Sequence, residues 1–382
     1  MIGWQQESAI CDKDETIDSL NVEPGETVTC IFVNEKLASI KLIKETLGGN
    51  GTFAFNLNGN GLPANLELST VDNLASRLFS DLDSDDNFSI SEIIPEGWDL
   101  TSSVCNNGDP VSNITPNAGE NITCTFTNTQ RGLVSGQKYN DLNGNGQKDD
   151  QELGLAGWTI QLYNETGNGL IDIATTDSDG GYAFSNVVPN NYQVCEVNQG
   201  GWTNTDPGGG VNSPICESLS VLPGKSETVD FGNFQLAKIS GIKFEDLNGN
   251  GTKDQGEPGL SNWWIELDSN NNWSNVEYLS ETDADGRYIF SDLEAGTYRI
   301  REQQKPGWTQ TTANPTDIVI QSGSDVKDVD FGNFQDVTVI GCKFDTENDP
   351  IKGWELPRRR RWRQGRRHRS EEHTSELQSP NT

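Results

Sequence analysis

The chain has 382 residues, with 27 Lys and Arg against 58 Asp and Glu, a net charge of −31, 40 glycines and 32% hydrophobic residues. That charge repels nucleic acid and anionic membrane surfaces and attracts cations, and no apolar run reaches the length of a membrane-spanning helix. Both histidines, His368 and His373, stand near the C-terminus, so the rest of the chain offers no Ser-His-Asp, Cys-His or His–metal centre, and the reading is of a non-enzyme.

Short alternating segments such as Trp158-Thr-Ile-Gln-Leu162, separated by Gly, Asn, Asp and Pro turns, predict an all-β chain of antiparallel sandwiches. A repeat of about 100 residues organises them. Residues 1–36 end on Glu26-Thr-Val-Thr-Cys-Ile-Phe-Val-Asn34, which repeats Glu120-Asn-Ile-Thr-Cys-Thr-Phe-Thr-Asn128. They read as the C-terminal part of a truncated sandwich. Residues 37–131 form a complete variant repeat. Residues 132–236 and 237–336 are the closest pair: Lys138-Tyr-Asn-Asp-Leu-Asn-Gly-Asn-Gly146 matches Lys243-Phe-Glu-Asp-Leu-Asn-Gly-Asn-Gly251, and both end on Asp-Phe-Gly-Asn-Phe. Residues 337–357 begin a further copy. Residues 358–382, rich in Arg, read as a non-native tail and carry no weight in the fold.

Within the two matched repeats lies a cation-binding pattern. Asp141, Asn143, Asn145, Asp149 and Glu152 occupy positions 1, 3, 5, 9 and 12 of a twelve-residue calcium loop, with Gly146 at the sharp turn and the Gln147 carbonyl at position 7. Asp246, Asn248, Asn250, Asp254 and Glu257 repeat it, with Gly251 at the turn and the Thr252 carbonyl at position 7. Hard oxygens at this spacing can converge on one Ca²⁺, and a closing Glu can bind through both oxygens. The plain alternative is a polar Gly/Asn turn. Strand-like flanks argue for a structural ion rather than a helix-loop-helix sensor. Asp177, Asp179, Asp283 and Asp285, in two Thr-Asp-x-Asp-Gly turns, are candidate extra ligands, or simply hairpin residues. A third acidic stretch, Asp81 to Glu92, has Asp86 where the loop needs Gly.

Cys11 and Cys30 have the same spacing as Cys105 and Cys124, and Cys195 and Cys216 sit comparably in the next repeat. The fourth copy lacks both, with Arg301 at the place of Cys195. Paired gain and loss fits the disulfides Cys11–Cys30, Cys105–Cys124 and Cys195–Cys216 and an oxidising compartment, reduced thiols being the alternative.

On the Asp-x-Asn-x-Asn-Gly loops and the Thr-Asp-x-Asp-Gly-x-Tyr-x-Phe motifs, residues 132–336 resemble the calcium-binding B-type repeats of serine-aspartate-repeat surface adhesins. Residues 37–131 are similar to collagen-adhesin B-type, pilin-like (prealbumin-like) domains. The resemblance implies tandem transthyretin-like sandwiches that form the stalk of a secreted or cell-surface protein, although the disulfides depart from the usual pattern. It also implies Lys–Asn isopeptide cross-links assisted by Glu, at Lys41, Glu92 and Asn128, with weaker analogues at Lys138, Glu196, Asn233 and at Lys243, Glu302, Asn333. The expected partners are neighbouring repeats and an extracellular protein or glycan, not nucleic acid or a bilayer. Two rival readings are an adhesive module whose contact patch is Trp263, Trp264 and Trp273, and an accessory module of a secreted hydrolase.

Overall fold

The computed structural model describes residues 3–12, 17, 20–207, 216–269, 273 and 276–338. The further repeat expected from Val339, with Cys342, and the tail from Arg358 lie outside the described residues. Those described form strands and turns, and none forms a helix long and apolar enough to cross a membrane. A two-stranded hairpin, Trp4–Cys11 with Cys30–Lys36, precedes three sandwiches.

Each sandwich follows one plan. In the first, the opening strand Ala38–Leu47 lies parallel to the closing strand Asn121–Gln130, in one sheet with Leu74–Leu82 and Trp98–Cys105. The strands Asn65–Ser69, Thr52–Asn58 and Ser89–Ile93 form the facing sheet. In the second, the opening strand Gly132–Asn140 pairs parallel with the closing strand Phe231–Gln235; in the third, Ala237–Glu245 pairs with Phe331–Gln335. The strict alternation of burial along Ala38–Leu47 shows why these segments are strands. A period of two places one apolar row in the core and one polar row in solvent. Ile40, Leu42, Phe53, Phe55 and Phe126 fill the first core. Val134, Ile160, Leu162, Phe184 and Phe231 fill the second, and Ile239, Ile265, Leu267, Phe290 and Phe331 the third.

The three disulfides join cysteines directly opposite each other on neighbouring strands: Cys11 with Cys30, Cys105 with Cys124, and Cys195 with Cys216. In the third sandwich, Arg301 at the place of Cys195 pairs with Glu266 at 2.5 Å and covers the Trp273 ring at 4.1 Å. From the same strand, Arg299 grips Asp317 through two hydrogen bonds of 2.8 and 2.9 Å. Reduction of the chain is expected to lower the stability of the first two sandwiches by about 2–4 kcal/mol each. The third should be untouched. Thermal unfolding with and without reductant reads this directly, and a third transition that moves with the others would contradict it.

One residue separates the hairpin from the first sandwich and each sandwich from the next: Leu37, Arg131 and Leu236. A turn of the following sandwich caps each of the last two joints. Gly224 N–H donates to the Gln130 carbonyl at 3.0 Å, and Gly323 N–H to that of Gln235 at 2.8 Å. At the second of these joints Ser322 accepts from Gln235 N–H, donates to Asn140 Oδ1, and donates its own N–H to the Leu142 carbonyl. A single-residue connection with hydrogen bonds across it leaves little freedom to bend.

Candidate functional site: three buried Lys–Glu–Asn sets and two acidic loops

The opening strand of each sandwich points one lysine into the core. Lys138 lies in register with Phe231, and Lys243 with Phe331. The acceptor asparagine follows each of these phenylalanines by two positions, so it shares the lysine's face of the sheet. Lys138 and Lys243 are fully buried, as are Asn233 and Asn333. Each Nζ donates to the Phe carbonyl, at 3.3 and 3.1 Å, and to the Asn Oδ1. Glu196 and Glu302, each on the adjacent sheet, reach their lysine at 2.9 Å.

The first sandwich corrects one expectation. The lysine in its core is Lys44, not Lys41. Lys44 Nζ donates to Asn128 Oδ1 at 2.7 Å and lies 3.3 Å from Glu92, while Lys41 is exposed on the opposite face. The dipeptide Ile-Lys occurs twice in this strand, and matching the first occurrence picks the wrong one. The alternation supplies the missing signal: Ile40 and Leu42 point inward, so Lys44 must, and Lys41 cannot.

Aromatic rings wall each amine. Lys44 lies over Phe53, Lys138 over Trp158 and Lys243 over Trp263, at 4.3 to 4.5 Å from the ring centres. Edge-on behind them stand Trp98, Trp202 and Trp308, the tryptophans of the Gly-Trp pairs. Desolvation pulls both Lys138 and Lys243 down to about 8 against the opposing pull of their glutamates, and Lys305 over the same Trp263 ring adds to the effect on Lys243. Burial likewise lowers Lys44 and raises Glu92. Each set therefore holds a readily neutralised amine against an amide carbonyl, beside a carboxyl group, away from water. That is the arrangement an amine needs to attack an amide carbon.

The acidic loops follow directly from the opening strands. Asp141 is buried and accepts from the N–H groups of Gly144, Asn145 and Gly146 at 2.7 to 3.2 Å. Asp246 does the same with Gly249, Asn250 and Gly251. Burial pushes the Asp246 carboxyl up, but the polar groups packed round it, those three N–H groups among them, outweigh it and hold it below its ordinary range. Glu152 closes its loop by accepting from Leu142 and Asp149 N–H, and Glu257 accepts from Leu247 and Asp254 N–H. Asn143 and Asn145 both donate to Asp149, as Asn248 and Asn250 do to Asp254. Gln147 and Thr252 donate their N–H groups to Asn145 and Asn250, leaving the carbonyls to complete the oxygen set. Gly144 and Gly146, at φ +70° and +71°, allow the chain to fold round Asp141. Among the described residues no group of three or more His, Cys, Asp or Glu side chains is close enough to hold a metal by itself. In both loops the asparagine amide groups stand beside Asp149 and Asp254.

Asp177 and Asp283 cap their own hairpins, accepting from Asp179 and Gly181 N–H, and from Asp285 and Arg287 N–H. Asp179 and Asp285 are exposed at those turns, and Arg287 pairs with Asp285. The third acidic stretch does not close into a loop of this kind, because its last member, Glu92, is committed to the buried set with Lys44. Of the three tryptophans in the rival contact patch, Trp263 is 2% exposed and lies between two lysines.

The SdrD B-like domain model matches residues 134–231 and 237–350, more than half of the chain. The chain belongs to the SdrD B-like domain family. A prealbumin-like fold domain model matches residues 40–130. Serine-aspartate repeat-containing protein D of Staphylococcus aureus (strain Newman) is 28% identical over 298 residues, covering 74% of this chain and 21% of the relative. Serine-aspartate repeat-containing protein F of Staphylococcus epidermidis is 31% identical over 199 residues, 50% of this chain and 12% of the relative. This chain thus spans at most about a fifth of these relatives' length. Among solved structures, the Bacillus anthracis TIE protein aligns at TM-score 0.34 and 19% identity over 81% of this chain and 53% of its own. The major pilin subunit of Bacillus cereus aligns at 0.33 and 13% over 78% of this chain and 100% of its own. The two SdrD B-like repeats carry the acidic loops, and the prealbumin-like domain does not. The buried Lys–Glu–Asn set is common to all three.

Proposed function

We propose that this chain is a stalk segment of a secreted or cell-surface adhesin-like protein, whose task is to hold another part of the molecule away from a surface. The single-residue joints carry this reading, since a stalk must resist bending between domains. Calcium in the two acidic loops would stiffen it. The fit rests on the loops' own chemistry: an all-oxygen donor set, a buried Asp at position 1 surrounded by backbone N–H groups, and a Glu at position 12. Asp141, Asn143, Asn145, the Gln147 carbonyl, Asp149 and Glu152 would hold one ion. Asp246, Asn248, Asn250, the Thr252 carbonyl, Asp254 and Glu257 would hold the other. Bound Ca²⁺ would offset the like charge that otherwise strains these loops. The first loop also bears on a joint, because Gly144 abuts Ala295 of the next repeat and the Leu142 carbonyl accepts from Ser322.

The second stiffening device is a covalent one. In each buried set the neutral lysine amine attacks the Asn Cγ, a new Nζ–Cγ amide bond forms, and the Cγ–Nδ2 bond breaks. The Glu carboxylate takes the proton from Nζ and passes it to the departing nitrogen, and one ammonia leaves.

Small-angle scattering of the full chain with calcium tests the stalk reading. The expected radius of gyration lies well above the roughly 21 Å of a compact chain of this length, and should become less rod-like when calcium is chelated. A compact value in calcium would refute it.

A further inference from the structure

The residue opposite the acceptor asparagine differs in the three sandwiches. Leu100 faces Asn128, Asn204 faces Asn233, and Gln310 faces Asn333 in the strand register. In the first and third sets, the acceptor's own amide nitrogen donates to the glutamate: Asn128 Nδ2 to Glu92 Oε1 at 2.9 Å, and Asn333 Nδ2 to Glu302 Oε1 at 2.8 Å. The carboxyl group therefore touches both the lysine that loses a proton and the nitrogen that must gain one.

The middle set is wired differently. Glu196 Oε2 still meets Lys138, but Oε1 accepts from Asn204 Nδ2 at 3.0 Å. Asn204 also approaches Asn233 Oδ1 at 3.4 Å and is itself buried. The Asn233 Nδ2 atom is buried with no hydrogen-bond partner. In the first set Leu100 has no polar group with which to intervene. In the third, Gln310 turns away, accepting from Gln304 and donating to Asn314.

Resting on the cross-link reading above, we infer that Asn204 is a positioning residue that holds Glu196 off the departing nitrogen of Asn233, so that closure of Lys138 onto Asn233 lags behind closure in the first and third sandwiches. The proton taken from Lys138 reaches a carboxyl group whose other oxygen faces the wrong amide. Loss of correctly directed proton delivery costs about 10²-fold or more in rate. The stalk would then stiffen in two stages, its outer sandwiches first.

The test follows the full chain by peptide mass spectrometry at intervals after synthesis. The three linked peptides, Lys44–Asn128, Lys138–Asn233 and Lys243–Asn333, are quantified separately. The expected result is a lag of about 100-fold or more at Lys138–Asn233. Asn204→Leu and Asn204→Gln, which install the residues found in the sister sandwiches, should bring it level with the other two. A purely structural role cannot produce that gain in rate, since loosening the core only slows the reaction. Equal rates in the unmodified chain would overturn the inference, as would a lag that survives both substitutions. No loss of ammonia from any sandwich would overturn the cross-link reading itself, and this inference with it.

Discussion

Chelation of calcium should lower the unfolding midpoints of the second and third sandwiches and leave that of the first unchanged. A ligand present at a hundredfold its dissociation constant contributes about 2.7 kcal/mol to the state that binds it. For a domain of this size that corresponds to a shift on the order of 10–20 °C. The physical source is the loop's own charge. Asp141, Asp149 and Glu152 are held together in one turn, and Asp246, Asp254 and Glu257 in the other. Without a cation the backbone N–H groups and asparagine amides alone oppose their repulsion. Glu152→Gln with Glu257→Gln should remove the calcium response while preserving most loop hydrogen bonds, because Gln retains one acceptor oxygen. Calorimetry on the full chain separates the transitions. If both midpoints ignore calcium, the loops are polar turns and the stiffening rests on covalent bonds alone.

Replacing Glu302 with Leu should abolish ammonia loss from the third sandwich and destabilise it by about 3–5 kcal/mol, because Lys243 is then left in the core without its carboxyl partner. Lys243 is fully buried, over Trp263 and against the Phe331 carbonyl, and no water can replace Glu302 there without opening the core. Adding Lys243→Met should recover most of the stability, since an apolar pair of similar volume needs no desolvated charge, but not the cross-link. The pH dependence of bond formation has a definite sign. The attacking species is the neutral amine, and Lys138 and Lys243 are pulled down to about 8. The rate should therefore rise about tenfold per pH unit below that point and level off above it. A flat profile would show that neutralisation of the lysine does not limit bond formation, and a Glu302→Leu chain that still loses ammonia would show that Glu302 does not relay the proton.

The recognition of the chain needed little beyond local pattern. Alternating apolar residues, turn residues at regular intervals and repeated motifs identify tandem β-sandwiches, because each of these signals acts over a few residues. Cysteine pairing was also legible: Cys105 and Cys124 stand at matching places in a motif that recurs at Cys11 and Cys30. The acidic loops were readable for the same reason, since all their oxygens come from one twelve-residue stretch.

What the tertiary structure decided involves contacts between distant strands. The choice of Lys44 over Lys41 depends on which face of the opening strand meets the closing strand, and a shift of one residue reverses it. Trp263 looked like a surface tryptophan beside Trp264, but the fold packs it against Lys243 and Trp308 and leaves Trp264 half-exposed. The docking of Ser322 and Ala295 against the first acidic loop brings together residues that no local pattern connects. The same holds for Asn204. By itself it is an ordinary strand asparagine; only the register that sets it opposite Asn233 and against Glu196 turns it into a competitor for the proton relay. Local sequence determined which elements and loops this protein makes, because hydrogen-bonding and hydrophobic periodicity are short-range. Strand register determined which of its buried groups can react, because reactivity depends on ångström-scale approach between residues far apart in the chain.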